Sequence, residues 1–376
     1  MNSRERIINN FEGLEIDRMA VSPFIHISFI NEFYQSSYSI RDEIVDQKVH
    51  DIYKHFGFDS MVRTCTLDMV SPSIATSENW QVAKSEVRVD DINRIVVTTI
   101  KTPEREMTSK TQFCRVSPYS EVNAETEHFI KDEEDFRQFV KYQPPVPKFD
   151  CSRIARTRDL VGSEGVVAPW LPSIFNTLSR LRKLDDLLCD AISDPDFFNE
   201  MMTYYRDRTV EAANQLAKVT DIVTYEGNIA NGSMVGPSYY EKYLLPFERA
   251  VIDKIRENNA YVLYHNCGDI NNMYEVYNQL GLSALETFTA PPYGDADIQK
   301  ALAILNKNIV MLGNIDQITF LKNASVCEVE ERVQSLISMC KNRGRFIIAT
   351  SDYLEDGTPH ENIFALANAV KKYGLY

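Results

Sequence analysis

The sequence predicts an α/β protein: a (β/α)8 TIM barrel with an N-terminal extension that contains a small antiparallel β excursion. Three observations predict it. The C-terminal half repeats a strand-like run followed by a helical pattern five times, the rhythm of a parallel sheet with helical crossovers. Neither GxGxxG nor GxxxxGK with a following Ser or Thr comes after any of these runs, so nucleotide-binding sheets lose their usual marker. Chemistry-capable residues stand at the ends of the expected strands, where a barrel of this kind builds its site.

The elements follow in order within one domain, residues 1–376. Residues 1–150 form the extension. It opens on "MNSRERIINNFEG", which lacks the apolar core of a secretory leader. Residues 83–113 alternate with a period of two and predict an antiparallel excursion of two or three strands. "DEEDFRQFVKY" (132–142) begins with acids and predicts a capped helix. "QPPVPKFD" (143–150) is a rigid extended connector. Residues 151–376 carry the main β/α repeats. "GSEGVVAPW" (162–170) precedes a helix-rich stretch ending in "RDRTVEAANQLAKV". Strands are then expected at 220–227, 260–268, 283–289, 308–316 and 345–352, each followed by a helix.

Composition narrows the function classes. With 44% hydrophobic and 25% charged residues the chain reads as an ordinary soluble globular protein. A net charge of −14 argues against nucleic acid or an anionic membrane surface as a partner. No apolar run approaches the roughly 18 residues of a membrane span. Seven cysteines are scattered without a CxxC pair, which predicts free thiols in a reducing, cytoplasmic compartment.

The polar residues at the strand ends are Glu226, His265, Cys267, Glu286, Asn314, Asp316 and Asp352. His265 and Cys267 are two apart, so on an extended strand both side chains share one face. Imidazole and thiolate are ligands that zinc favours, and a catalytic zinc site keeps three protein ligands and an open position. Glu286, closing the next strand, is the expected third ligand, and Asp352, closing the last, the fourth candidate. Two other readings stay open: a small buried cysteine beside a hydrogen-bonded histidine, or a Cys–His nucleophilic pair. Glu226, Asn314 and Asp316 are candidate catalytic groups, although Asn and Asp after a strand also serve as ordinary starts of helices. The loop "ETFTAPPYGDAD" (286–297) either lines the pocket or merely connects. His360, in the first turn of the last helix, reads as a surface residue.

Several phrases together resemble the uroporphyrinogen decarboxylase-like superfamily, and most closely its corrinoid-dependent methyltransferase branch. They are "YEGNIANGSMVGPSYYEKYLLPFERAVIDKIRENNAYVLYHNCGDI", "ALETFTAPPYGDADIQKA", "IVMLGNID" and "FIIATSDYLEDGTPHENIFALANAVKKYG", with looser matches at "SEGVVAPW" and "IKTPEREM". The resemblance implies a barrel that moves a methyl group between the cobalt of a corrinoid, carried by a partner protein or as methylcobalamin, and a small-molecule donor or acceptor: a methoxylated or methylated compound, a folate or a thiol. It implies zinc on a His-x-Cys pair, here His265 and Cys267, plus a later cysteine, whose place Asp352 holds here. Where tetrahydrofolate is the co-substrate, Glu226, Asn314 or Asp316 would bond its pterin ring. A homodimer is the assembly considered. The alternatives are a uroporphyrinogen decarboxylase-type carboxy-lyase or a non-catalytic ligand-binding barrel. No arginine-rich "RQAGRY"-like phrase, which decarboxylases use for carboxylates, occurs before residue 60.

Overall fold

The structure is a computed structural model that describes residues 1–66 and 69–376. Its strands are β1 (Ala20–Val21), β2 (Phe24–Ile25), β3 (Ser60–Val62), β4 (Gln81–Arg88), β5 (Asn93–Lys101), β6 (Glu106–Arg115), β7 (Glu121–Glu127), β8 (Gly165–Val167), β9 (Trp170–Pro172), β10 (Ile222–Glu226), β11 (Tyr261–His265), β12 (Ala284–Glu286), β13 (Val310–Ile315), β14 (Phe346–Thr350) and β15 (Tyr353–Leu354). Seven of them form one parallel sheet in the order β1-β14-β13-β12-β11-β10-β9, and β3 pairs in parallel with β8. All five expected C-terminal strands lie in this sheet, each followed by helix.

Single backbone bonds join these two sheets. Asp59 N donates to Val21 O at 2.7 Å, and Thr224 N donates to Pro169 O, in the link between β8 and β9, at 2.8 Å. Side chains from β1, β3, β8 and β10 to β14 meet in one buried cluster. It includes Met61, Val166, Ile222, Leu263 and Leu312, and Ile7 and Phe11 of the helix Ser3–Glu12 join it. A larger apolar layer lies between these strands and the helices. Burial on both sides explains why these strands read as nearly continuous Val/Ile/Leu runs.

The N-terminal excursion is larger than expected. It has four antiparallel strands, β4 to β7, not two or three. The added strand is "EVNAETE", whose three acids hide it from a reading based on β-branched and aromatic enrichment. At one end the meander is tied to the helix Glu133–Tyr142: Thr102 Oγ1 donates to Gln138 Oε1 at 2.7 Å, and Arg105 Nη2 to Asp132 Oδ2, next to that helix, at 2.8 Å. At the other end Ser117 Oγ donates to Asp356 Oδ2 at 2.8 Å and Tyr119 OH to Gln35 Oε1 at 2.9 Å. The meander thus arches over the carboxyl ends of the parallel strands.

Residues 143–150 are extended, and the helix Glu133–Tyr142 is capped by Asp132, both as expected. The helical stretch after β10 contains a π turn, Tyr240–Leu244, before Leu245–Glu257. No helix among the described residues is long and apolar enough to cross a membrane, and the cysteines form no disulfide among them. His360 is exposed.

Candidate metal site under a four-stranded roof

His265 ends β11 and Glu286 ends β12, and the two residues are paired in register. Cys267 lies two residues beyond the strand, not on it as the spacing assumed. The chain turns because Asn266 points away: its Nδ2 donates to Gly227 O at 2.8 Å and Ala230 O at 3.2 Å. Gly268 then adopts φ +91°, a conformation open to glycine. The turn still brings Cys267 back to the histidine. One ligand atom each from His265, Cys267 and Asp352 lies within 4.8 Å of the other two. Asp352 follows β14 and is fixed through its backbone N to Gln317 Oε1 at 3.2 Å, while its Oδ1 accepts from Tyr353 N at 2.8 Å.

Glu286, the expected third ligand, stands outside this convergent group. Its Oε1 accepts from His265 Nδ1 at 2.8 Å, and its two oxygens are held in a bidentate pair by Arg63 Nη1 and Nη2, the latter at 2.5 Å. Asp352, the expected fourth ligand, takes the third place. Burial alone would raise the Glu286 carboxyl, but the Arg63 guanidinium and the His265 proton outweigh it and bring it down to about 2. Burial opposes charge on His265 as well. Its bonds to Cys267 and Glu286 and the field of Asp352 nevertheless lift the ring well above its ordinary value. Burial raises Asp352.

With Nδ1 hydrogen-bonded to Glu286, Nε2 is the ring nitrogen left for a metal held with Cys267 and Asp352. A carboxylate behind a ligating histidine fixes the tautomer and raises ligand basicity. One hard oxygen, one imidazole and one thiol within 4.8 Å of one another form a donor set that zinc accepts.

The site opens into a cavity of about 650 Å³. Its floor is His265, Asp352 and Glu226. Its sides carry Phe24, Trp170 and Tyr353, and its ceiling is one face of the meander, where Val96 and Thr98, Thr111 and Phe113, and Asn123 and Glu125 stand two residues apart on their strands. Rings stand close to the histidine: Trp170 at 5.2 Å and Phe24 at 6.2 Å between centroids. His26 lies beside Tyr353 with its Nδ1 unpartnered, and burial lowers its pKa to about 4, so the ring is neutral near pH 7. A second chamber of about 470 Å³ shares Asn123, Glu125, Arg180, Glu226 and Asn228 with the first.

Of the candidate catalytic groups, Glu226 lines both chambers and accepts from Asn228 Nδ2 at 3.1 Å. Asn314 and Asp316 are not among the described residues that line them. Asn314 Oδ1 accepts from Arg332 Nη2, on the helix Val326–Cys340, at 3.1 Å. Asp316 caps the turn that follows β13, accepting from the backbone of Ile318, Thr319 and Phe320 at 2.9 to 3.2 Å. The loop 286–297 is absent from the lining of both chambers, and Asp295 instead ties it to the backbone of Ile270 and Asn271.

Arg63, Trp170, His26 and Asn228 escaped the sequence reading. Arg63 ends "DSMVR", a short strand with an arginine at its carboxyl end, which is the same signal that marked Glu226 and His265 downstream.

Fold and site together define an α/β protein with a three-residue candidate metal site at the carboxyl ends of a parallel sheet. Within that class the chain belongs to the uroporphyrinogen decarboxylase (URO-D) family, whose model matches residues 114–373. Its curated relatives fall in the methyltransferase branch that the sequence resembles. Methylcobamide:CoM methyltransferase MtbA of Methanosarcina mazei is 24% identical over 253 residues, 65% of this chain and 70% of the relative. The methylated-thiol–coenzyme M methyltransferase of the same organism is 21% identical over 207 residues, 55% of this chain and only 53% of the relative. A solved methyltransferase structure from Methanosarcina mazei superposes with a TM-score of 0.72 over 99% of both chains at 13% identity, a likeness of fold.

Proposed function

We propose that this chain is a corrinoid-dependent methyltransferase that moves a methyl group between a corrinoid protein and a small-molecule donor or acceptor. In this reading β1, β3, β8–β9 and β10 to β14 close into an eight-stranded (β/α)8 barrel, and His265, Cys267 and Asp352 hold zinc at its mouth. The observation that carries the proposal is the convergence of these three side chains at strand ends, in a chain whose relatives are named methyltransferases.

Zinc bound there would supply Lewis acidity, lowering the pKa of an acceptor thiol or polarising the oxygen or nitrogen that leaves a methylated donor. The residues of the chain do the rest. Glu286 holds the proton on His265 Nδ1, so that Nε2 keeps its lone pair for the metal. Trp170 and Phe24 cover the histidine and keep water from the reacting centre. Glu226 and Asn228 offer an acceptor and an amide to the polar part of the substrate, the task expected of Glu226 toward a pterin if tetrahydrofolate is the acceptor. Methyl transfer is a displacement at carbon and depends on collinear placement of donor and acceptor, a task for the walls and ceiling of the cavity.

The test is metal analysis of the purified protein together with demethylation of methylcobalamin in the presence of thiol or tetrahydrofolate. About one zinc per chain and methyl transfer are expected. Cys267→Ser should lose both. Unchanged metal content in that variant would remove Cys267 from the ligand set, and consumption of a carboxylated tetrapyrrole without methyl transfer would replace the proposal with a decarboxylase.

A further inference from the structure

We propose that the free edge of β4 is a docking surface for a second copy of this chain, with β4 pairing antiparallel to β4 about a two-fold axis at Ser85. The proposal is independent of the methyl-transfer reading. β4 is an outer strand of the meander. All of its residues but Val82 are exposed, and its register with β5 is unbroken from Gln81↔Lys101 to Arg88↔Arg94. Val89 N donates to Asn93 O at 2.9 Å where the hairpin closes. Backbone groups alternate in direction along an antiparallel strand. Ala83, Ser85 and Val87 therefore turn theirs to β5, and Val82, Lys84, Glu86 and Arg88 present theirs to the outside. No other strand and no loop backbone among the described residues meets these outward groups.

Such an edge is a template for another strand, and proteins guard it with charge or bulges. β7, the other edge of the meander, is guarded. Its register with β6 shifts between Lys110 and Thr111, and it carries Glu121, Glu125 and Glu127 with no base to answer them. β4 carries a lysine, a common guard, but also its counterpart. With Ser85 on the axis, Lys84 of each copy stands opposite Glu86 of the other, and Val82 opposite Arg88. Paired residues whose backbones face each other exchange both hydrogen bonds, and opposite charges in directly facing positions attract. Lys84, which lines the cavity, has no ion-pair partner among the described residues. Glu86 spends one oxygen, Oε2, on Arg94 Nη1 at 3.0 Å and keeps the other for Lys84 of the second copy. On the opposite face Val87, 55% exposed, meets Ala83. Every contact occurs twice, as a two-fold axis requires, and two four-stranded roofs become one continuous sheet.

The test is sedimentation velocity of the full chain over a concentration series. Wild type should dimerise. Lys84→Glu should weaken the dimer about 10-fold or more, because both reciprocal pairs turn from attractive to repulsive, and Glu86→Lys should do the same. An equimolar mixture of these two variants should regain the dimer, since the acidic edge of one then faces the basic edge of the other. Lys84→Glu combined with Glu86→Lys in one chain should restore it too, which separates an effect on the edge from a failure to fold. A wild type that stays monomeric, a dimer unmoved by Lys84→Glu, or a mixture as weak as its components would overturn the proposal.

Discussion

Asp59 and Val21 exchange two hydrogen bonds: Asp59 N donates to Val21 O at 2.7 Å, and Val21 N donates to Asp59 Oδ2 at 2.9 Å. A side chain thus completes the backbone pairing between β1 and β3. The same carboxylate, fully buried, also receives Arg6 Nη1 at 2.5 Å and Arg18 Nη1 at 2.9 Å. Removing one partner of a buried ion pair strands the other, at about 3–5 kcal/mol. Asp59→Ala should therefore lower stability by that order in denaturant titration, whereas Arg18→Ala, which leaves Arg6 on the carboxylate, should cost less.

The strand-end residues should separate by role. Glu226→Gln should reduce the methyl-transfer rate with little change in melting temperature. Asp316→Ala should instead lower stability by about 0.5–2 kcal/mol, the usual worth of a helix-start cap, with the transfer rate retained. A large loss of rate in Asp316→Ala at normal metal content would contradict its placement as a cap.

Glu248 predicts a pH dependence of stability away from the candidate metal site. Burial raises its carboxyl to about 7, against the opposing bonds from Tyr225 OH and the backbone of Phe175 and Ile174. The buried phenols of Tyr240 and Tyr264 also face it. A raised folded-state value means that the protonated form favours folding. That stability is complete below about 4.5 and falls as the pH rises through 7, by on the order of 3 kcal/mol. Glu248→Gln removes the titration. The melting temperature of wild type relative to this variant should decline between pH 5 and pH 8, and a constant difference would show that Glu248 does not titrate there.

The tip of the meander hangs on two side-chain bonds, Ser117 to Asp356 and Tyr119 to Gln35. Ser117→Ala with Tyr119→Phe should speed amide hydrogen exchange in residues 106–127, since local opening follows local contacts. Metal content should not change.

Periodicity made the C-terminal strands readable, because buried parallel strands and amphipathic helices write different patterns. It also placed His265, Asp352 and Glu226 at the cavity. It failed where tertiary contact decides. Nothing local says that Glu286 meets an arginine 223 residues upstream, so its role as a clamped partner of His265 could not be told from that of a ligand. Cys267 reached the site through a turn set by Asn266, not through strand alternation. Asn314 and Asp316 shared the strand-end signal with true cavity residues, and only their partners, Arg332 and a helical turn, tell them apart.

The roof and the floor of the cavity have different standing in the chain. The candidate metal triad, Trp170 and Glu226 lie inside residues 114–373, the part matched by the family model, together with Glu125 of the ceiling, whereas Thr98, Thr111 and Phe113 of the ceiling precede it. In the proposed function, methyl transfer and substrate fit then rest largely on different stretches of polypeptide. Transplanting another meander onto residues 81–127 should alter which methyl compounds fit while leaving metal affinity intact, which makes this excursion the place where one inherited reaction centre can be fitted to new chemistry.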